Sequence, residues 1–103
     1  MKRIIDGKLY NTETAEQLAH RSYGTYGDFS FYEETLYVTK KGSYFLEYSG
    51  GPRSPYGVNE GTDGTRGDSG IIPFNGDEAF EWLVKSGKSE LAAELFPEKI
   101  TEA

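Results

Sequence analysis

Residues Phe31 to Gly51 read FYEETLYVTKKGSYFLEYSGG, and the fold follows from how this stretch pairs with itself. Two runs of aromatic and β-branched residues flank Lys40-Lys41-Gly42, the pattern of a β-hairpin closed by a short glycine-containing loop. A three-residue loop opposes Thr39 to Ser43, Val38 to Tyr44, Leu36 to Leu46 and Glu34 to Tyr48. The other face then carries Tyr37 against Phe45 and Thr35 against Glu47. A two-residue loop would set Leu36 against Glu47 and waste an apolar partner. The three-residue loop is therefore expected, with Gly42 in the left-handed conformation.

Working outward, Arg3 to Asn11 contains Ile4-Ile5, the turn dipeptide Asp6-Gly7, then Leu9-Tyr10. This predicts a short strand pair, or one strand entered through a turn. The next segment reads two ways. Ala15, Leu18, Ala19 and Ser22 fall at helical spacing, and Thr14 with Gln17 suits a capping box. The run is short, however, and a hairpin needs a third strand for stability. A strand over about 16–23, completing a three-stranded meander, is preferred. Gly24 to Ser30 is a glycine-bearing connection, with Phe29 and Phe31 expected to turn inward.

Ser49 to Gly70 is dominated by glycine, proline, serine and aspartate. So long a stretch without periodicity in a small domain is expected to be a functional loop or a disordered one. Beyond it, Ile71-Ile72 reads as a strand end. Asn75 with Glu78 forms a capping-box pattern ahead of a helix whose apolar face holds Ala79, Phe80, Leu83 and Val84, with Trp82 at its edge and Gly87 as the stop. Ser89 is placed to cap a second short helix carrying Leu91, Ala92, Leu95 and Phe96, ended by Pro97. The remaining residues are expected to fray. The predicted fold is α+β in one domain: a small antiparallel sheet over about 1–49, a glycine-rich loop over 50–70, and a helical part over about 75–96 covering the sheet.

Composition sets limits on function. The 103 residues carry 17 acidic and 11 basic side chains, a net charge of −6, and no cysteine. Disulfides, thiolate metal sites and cysteine nucleophiles are thereby excluded. Direct nucleic-acid binding is disfavoured, since neutralising phosphates requires a basic surface. No apolar run suits a signal peptide or a membrane span. The single histidine, His20, reads as an ordinary sheet or surface residue, and no serine sits in a nucleophile elbow. Glu33 and Glu34, adjacent in a strand, point to opposite faces and make a poor acid–base pair. Asn59, Glu60, Asp63 and Asp68 miss the ligand spacing of a calcium loop. Arg66-Gly67-Asp68 is an integrin-type tripeptide short enough to recur by chance. No catalytic residue, metal or cofactor is expected.

Eight tyrosines stand out. One account is that a thin sheet builds its core from aromatics. The other is that tyrosines and carboxylates share an exposed face that binds protein. The pairing of Tyr37 with Phe45 on the sheet's second face favours the latter, because one helical layer leaves that face for solvent or a partner.

A resemblance enters on these residues. The stretch IIDGKLYNTETA (Ile4 to Ala15), Asp28-Phe29, ETLYVTKKGSYFL (Glu34 to Leu46), Gly50-Gly51-Pro52 and IIPF (Ile71 to Phe74) ahead of an EAFEWL helix resembles, over nearly the whole chain, a family of small proteins carried by phages and integrated mobile elements. In size, charge and lack of catalytic residues the chain is also similar to anti-CRISPR proteins. The resemblance implies a cytoplasmic protein of a bacterial host, monomeric or homodimeric, that binds a CRISPR-Cas effector stoichiometrically. Its expected partner-binding residues are Glu33, Glu34, Tyr37, Phe45, Glu47, Tyr48, Tyr56, Asp63 and Asp68. The alternatives are an interaction module of a mobile element with another partner, and a small enzyme or metal-dependent binder using His20 or the aspartate-rich loop.

Overall fold

In the computed structural model, which describes residues 1–61 and 64–103, the Phe31–Gly51 hairpin pairs as expected. Strands β4 (Tyr32–Val38) and β5 (Tyr44–Gly50) run antiparallel with Leu36 opposite Leu46 and Tyr37 opposite Phe45. The loop closes through Thr39 N–H to Ser43 O (2.8 Å) and Gly42 N–H to Thr39 O (2.9 Å). Gly42 has φ +88°, a conformation that costs a residue with a Cβ about 1–2 kcal/mol.

The preceding segment is a strand, β3 (Glu16–Tyr23), antiparallel to β4. Its register shifts between Gln17 and Ala19. This bulge lets the consecutive residues Leu18 and Ala19 both pack against the core under the helices, where a regular strand would send one to each face. The bulge therefore accounts for the helical spacing of apolar residues in a strand.

Ile71-Ile72 proves to be the middle of a fourth strand, β8 (Asp68–Phe74), which pairs with β5 and makes the sheet order β3-β4-β5-β8. The expected meander thus gains a strand. Pro73 is tolerated because β8 lies at the edge, where a missing N–H breaks no ladder. The glycine-rich segment also contains regular pairing among its described residues. It carries a two-residue ladder, β6 (Val58–Asn59) with β7 (Thr65–Arg66), before entering β8.

Helix α1 (Gly76–Lys85) begins with the expected capping box: Asn75 Oδ1 accepts from Glu78 N–H and Glu78 Oε1 from Asn75 N–H, both at 2.8 Å. It ends at Gly87, φ +75°, with Gly87 N–H to Val84 O and Lys88 N–H to Leu83 O, the paired bonds of a Schellman motif. Helix α2 (Ser89–Leu95) is capped at Lys88 with no side-chain bond, so Ser89 is its first residue and not its cap. The final residues do not all fray: Pro97–Lys99 form a 3-10 turn, and the Lys99 ammonium pairs with Asp77.

Both faces of the sheet are covered, by different elements. On one face Leu36 and Leu46 meet Ala79, Trp82, Leu83, Ala92 and Phe96 of the helical layer. Val84, expected on that apolar face, is instead turned outward. On the other face lies the N-terminal hairpin, β1 (Lys2–Ile5) with β2 (Lys8–Asn11), joined at Asp6-Gly7. Its Tyr10 packs edge-on to Phe45 at 5.5 Å, and Phe45 stacks on Tyr37 at 5.1 Å. Phe45 is completely buried and Tyr37 only 9 % exposed. The expectation that this pair faces a partner is therefore corrected. A hairpin of the same chain occupies that place.

Candidate protein-binding surface

At the margin of the helical layer, the first sheet face carries a seam of aromatics around one carboxylate. Glu34 is 7 % exposed. It accepts from Arg21 Nε and Trp82 Nε1, each at 3.0 Å, and from the Tyr56 hydroxyl. The Arg21 guanidinium lies 4.6 Å from the Tyr23 ring centre and 5.2 Å from that of Trp82. Tyr23 stacks on Tyr32, and Tyr48 on Tyr56, each pair 4.3 Å apart. The Tyr48 hydroxyl donates to Asp68 at 3.4 Å.

The phenols respond as their surroundings dictate. Burial, then the bond to Glu34, drives Tyr56 well above the ordinary phenol value. Burial, then Asp68, raises Tyr48. Burial also raises Tyr23 against the opposing pull of Arg21. With three donors on its oxygens, Glu34 is held as the acceptor of a packed hydrogen-bond network.

This arrangement redistributes the expected contact residues. Glu34, Tyr37 and Phe45 are interior, and their assignment to a partner surface is corrected. Tyr48 and Tyr56 are half-buried and spend their ring faces on each other. Asp68 is half-buried against Tyr48 and lies 3.7 Å from Arg66, which also holds Glu60 at 2.9 Å. Asp63 lies outside the described residues.

Glu33 and Glu47 do remain together, on the part of the second face that the N-terminal hairpin leaves open. They line a shallow depression with Thr35, Ser49 and Ser69. Glu47 also neighbours the Tyr37 phenol, which burial and then that carboxylate raise above its usual range. His20 sits beside them, with Nδ1 2.8 Å from Thr35 Oγ1 and Nε2 3.7 Å from Glu33. Among the described residues no group of three or more His, Cys, Asp or Glu side chains is placed to hold a metal ion.

The exposed aromatics are different ones. Tyr26 is 87 % and Phe29 65 % exposed, both in the loop joining β3 to β4. Phe29 does not turn inward because its backbone is held from the other side: Arg53 N–H donates to Phe29 O at 2.8 Å, and Gly51 N–H to Phe31 O at 2.9 Å. Tyr26 rests edge-on against Phe31, ring centres 5.5 Å apart. Asp28 lies between them in sequence, and Glu33 follows just inside β4. One end of the sheet thus presents two exposed aromatics with Asp28 and Glu33, while Glu47 lies opposite Thr35 at the middle of the β4–β5 ladder. None of the three carboxylates is paired to a Lys or Arg among the described residues.

A second acidic region, on the helices, is more populous. Seven of the 17 acidic residues lie there or in the turn and tail that follow (Asp77, Glu78, Glu81, Glu90, Glu94, Glu98 and Glu102), all exposed. Asp77 and Glu78 serve the first turn of α1. No exposed aromatic accompanies them. No family model matches the chain, nor does any curated protein or solved structure.

Proposed function

We propose that this protein is a non-catalytic inhibitor of the anti-CRISPR type, which binds a CRISPR-Cas effector stoichiometrically and blocks its access to nucleic acid. The contact would be the sheet end carrying Tyr26, Phe29, Asp28 and Glu33, extended by Glu47 at the middle of the β4–β5 ladder. The observation that carries this reading is the company of exposed aromatics and carboxylates that no Lys or Arg neutralises, gathered toward one end of the sheet. A few side chains, tyrosine prominent among them, carry most of the energy of a protein interface, and carboxylates that no Lys or Arg neutralises steer them onto lysine- and arginine-rich surfaces. The identity of the target rests on the resemblance to phage and mobile-element proteins and on the net charge of −6.

A second reading, an interaction module of a mobile element with another basic protein, draws on the same surface. It is favoured by the burial of Tyr37 and Phe45, which leaves the surface smaller than a face-wide DNA mimic would present.

The test is binding to purified effector complexes of different types, with and without target DNA. Effector binding that competes with DNA and weakens with salt is expected. Truncating Tyr26 and Phe29 to alanine should weaken it roughly 30-fold, the equivalent of about 2 kcal/mol for a hot spot. Asp28→Asn with Glu33→Gln and Glu47→Gln should slow association. Glu90→Gln with Glu94→Gln on α2 should change little. Loss of binding from the helix pair alone would place the contact elsewhere. Absence of binding to every effector, with capture of another basic protein through Tyr26 and Phe29, would decide for the second reading.

A further inference from the structure

We propose that the cavity between the tip of the N-terminal hairpin and the 39–43 loop binds a small amphipathic anion, meaning a molecule with one anionic head on a short apolar body. The site lies beyond the surface proposed above and at the other end of the sheet. The length of β4, about 20 Å for a seven-residue strand, separates it from Tyr26, Phe29, Asp28 and Glu33, and about half that length from Glu47.

The cavity encloses about 560 Å³, within the roughly 300–1,000 Å³ of small-molecule sites. Leu9 and Tyr10 line it, as do Lys8, Lys40 and Lys41. Three ammonium groups around one concavity are unexpected in a chain of net charge −6. None of them has an ion-pair partner among the described residues, although Arg21, Arg66 and Lys99 all do. The carboxylates close to it, Asp6 and Glu13 beside Lys8 in sequence and Glu16, which lines the adjoining depression with Thr39 and Lys40, are exposed and form no bridge to them.

Hydroxyls complete the donor set. Thr39 Oγ1 already accepts from Ser43 N–H at 3.0 Å, so its own hydrogen is free to donate to an anion. The apolar part of the lining, Leu9 and Tyr10, is why a bare inorganic anion would fit poorly. Leu9 is 58 % exposed, and a ligand with a hydrocarbon body would cover it, together with the aliphatic stems of the lysines.

The experiment follows backbone amides by NMR while octanoate is titrated into the full chain, with octanamide and inorganic phosphate as parallel probes. Octanoate should saturate, shift the amides of Lys8–Asn11 and Thr39–Ser43, and bind more weakly as salt rises. Octanamide and phosphate should each bind at least several-fold more weakly, one lacking the charge and the other the apolar body. Replacing Lys8, Lys40 and Lys41 with Gln should weaken octanoate about tenfold, near the sum of three exposed charge contacts. The variants should retain the Trp82 fluorescence of the folded protein. Equal binding of octanamide or of phosphate, non-saturating shifts, shifts centred elsewhere, or unchanged affinity in the triple variant would each overturn the proposal. All of these results are independent of effector binding.

Discussion

Replacing Arg21 with Met should destabilise the protein by about 3 kcal/mol, because it removes the one cation facing a buried carboxylate. Breaking a fully buried ion pair costs roughly 3–5 kcal/mol. Here the Arg21 side chain is 23 % exposed, and Glu34 keeps the Trp82 and Tyr56 donors, so about 2 kcal/mol is appropriate for the pair. Loss of the two cation–π contacts adds about 0.5 kcal/mol each at partly exposed rings. For a domain of this size the melting temperature should fall by roughly 12–24 °C. Urea denaturation read by fluorescence is well suited. Trp82 is the sole tryptophan, and its indole donates directly to Glu34. Circular dichroism should give a coincident transition. The second arm is Glu34→Gln alone and combined with Arg21→Met. A neutral amide needs no cation, so the double variant should be about 1–2 kcal/mol more stable than the sum of the single losses implies. A loss under about 0.5 kcal/mol for Arg21→Met, as for an exposed pair, would refute the reasoning, as would simple additivity.

The phenols give a pH prediction. Tyr23, Tyr37, Tyr48 and Tyr56 are all raised above 10.0 in the folded state. A raised value means that the folded protein holds its proton while the unfolded chain gives it up. The associated stability is therefore whole below pH 10 and is lost progressively as pH rises toward the folded values. Tyr56→Phe should flatten that alkaline decline in an unfolding series from pH 8 to 12. Asn75→Ala should cost about 1 kcal/mol by removing the cap that satisfies the Glu78 N–H, visible as earlier denaturant unfolding and faster amide exchange in the first turn of α1. Phe45→Ala should cost about 3–5 kcal/mol and raise amide exchange in Lys2–Asn11, since Phe45 is what Tyr10 packs on. Protection in the hairpin equal to that of the parent would show that other contacts hold it in place.

Much of the architecture was legible wherever a local rule governs. Loop length set the register of β4 on β5, since alternation allows only one pairing that joins Leu36 to Leu46. Asn75 with Glu78 marked the start of α1 because the reciprocal bonds close within four residues. Gly87 marked its end for the same kind of reason. The strand β3 was legible only through the needs of its neighbour, because the bulge at Gln17–Ala19 disguises its period. The fourth strand was half seen. Ile71-Ile72 shows the apolar run but not the partner, and only pairing with β5 extends it back to Asp68.

The site was harder, and the difference is one of range. A tyrosine in a strand has the same local signature whether it faces water or another part of the chain. What separates the buried Tyr37 from the exposed Tyr26 is the docking of Tyr10, 27 positions upstream of Tyr37, and the anchoring of Phe29 by Arg53 from the next loop. Glu34 looked like a surface acid until Trp82, 48 residues along the chain, brought its indole to it. Pairing, caps and turns depend on hydrogen bonds between near neighbours, and the order of residues alone determines those. Which face is sealed, and so which side chains remain to meet another molecule, depends on apolar surfaces distant in the chain finding one another, and only the assembled fold decides that.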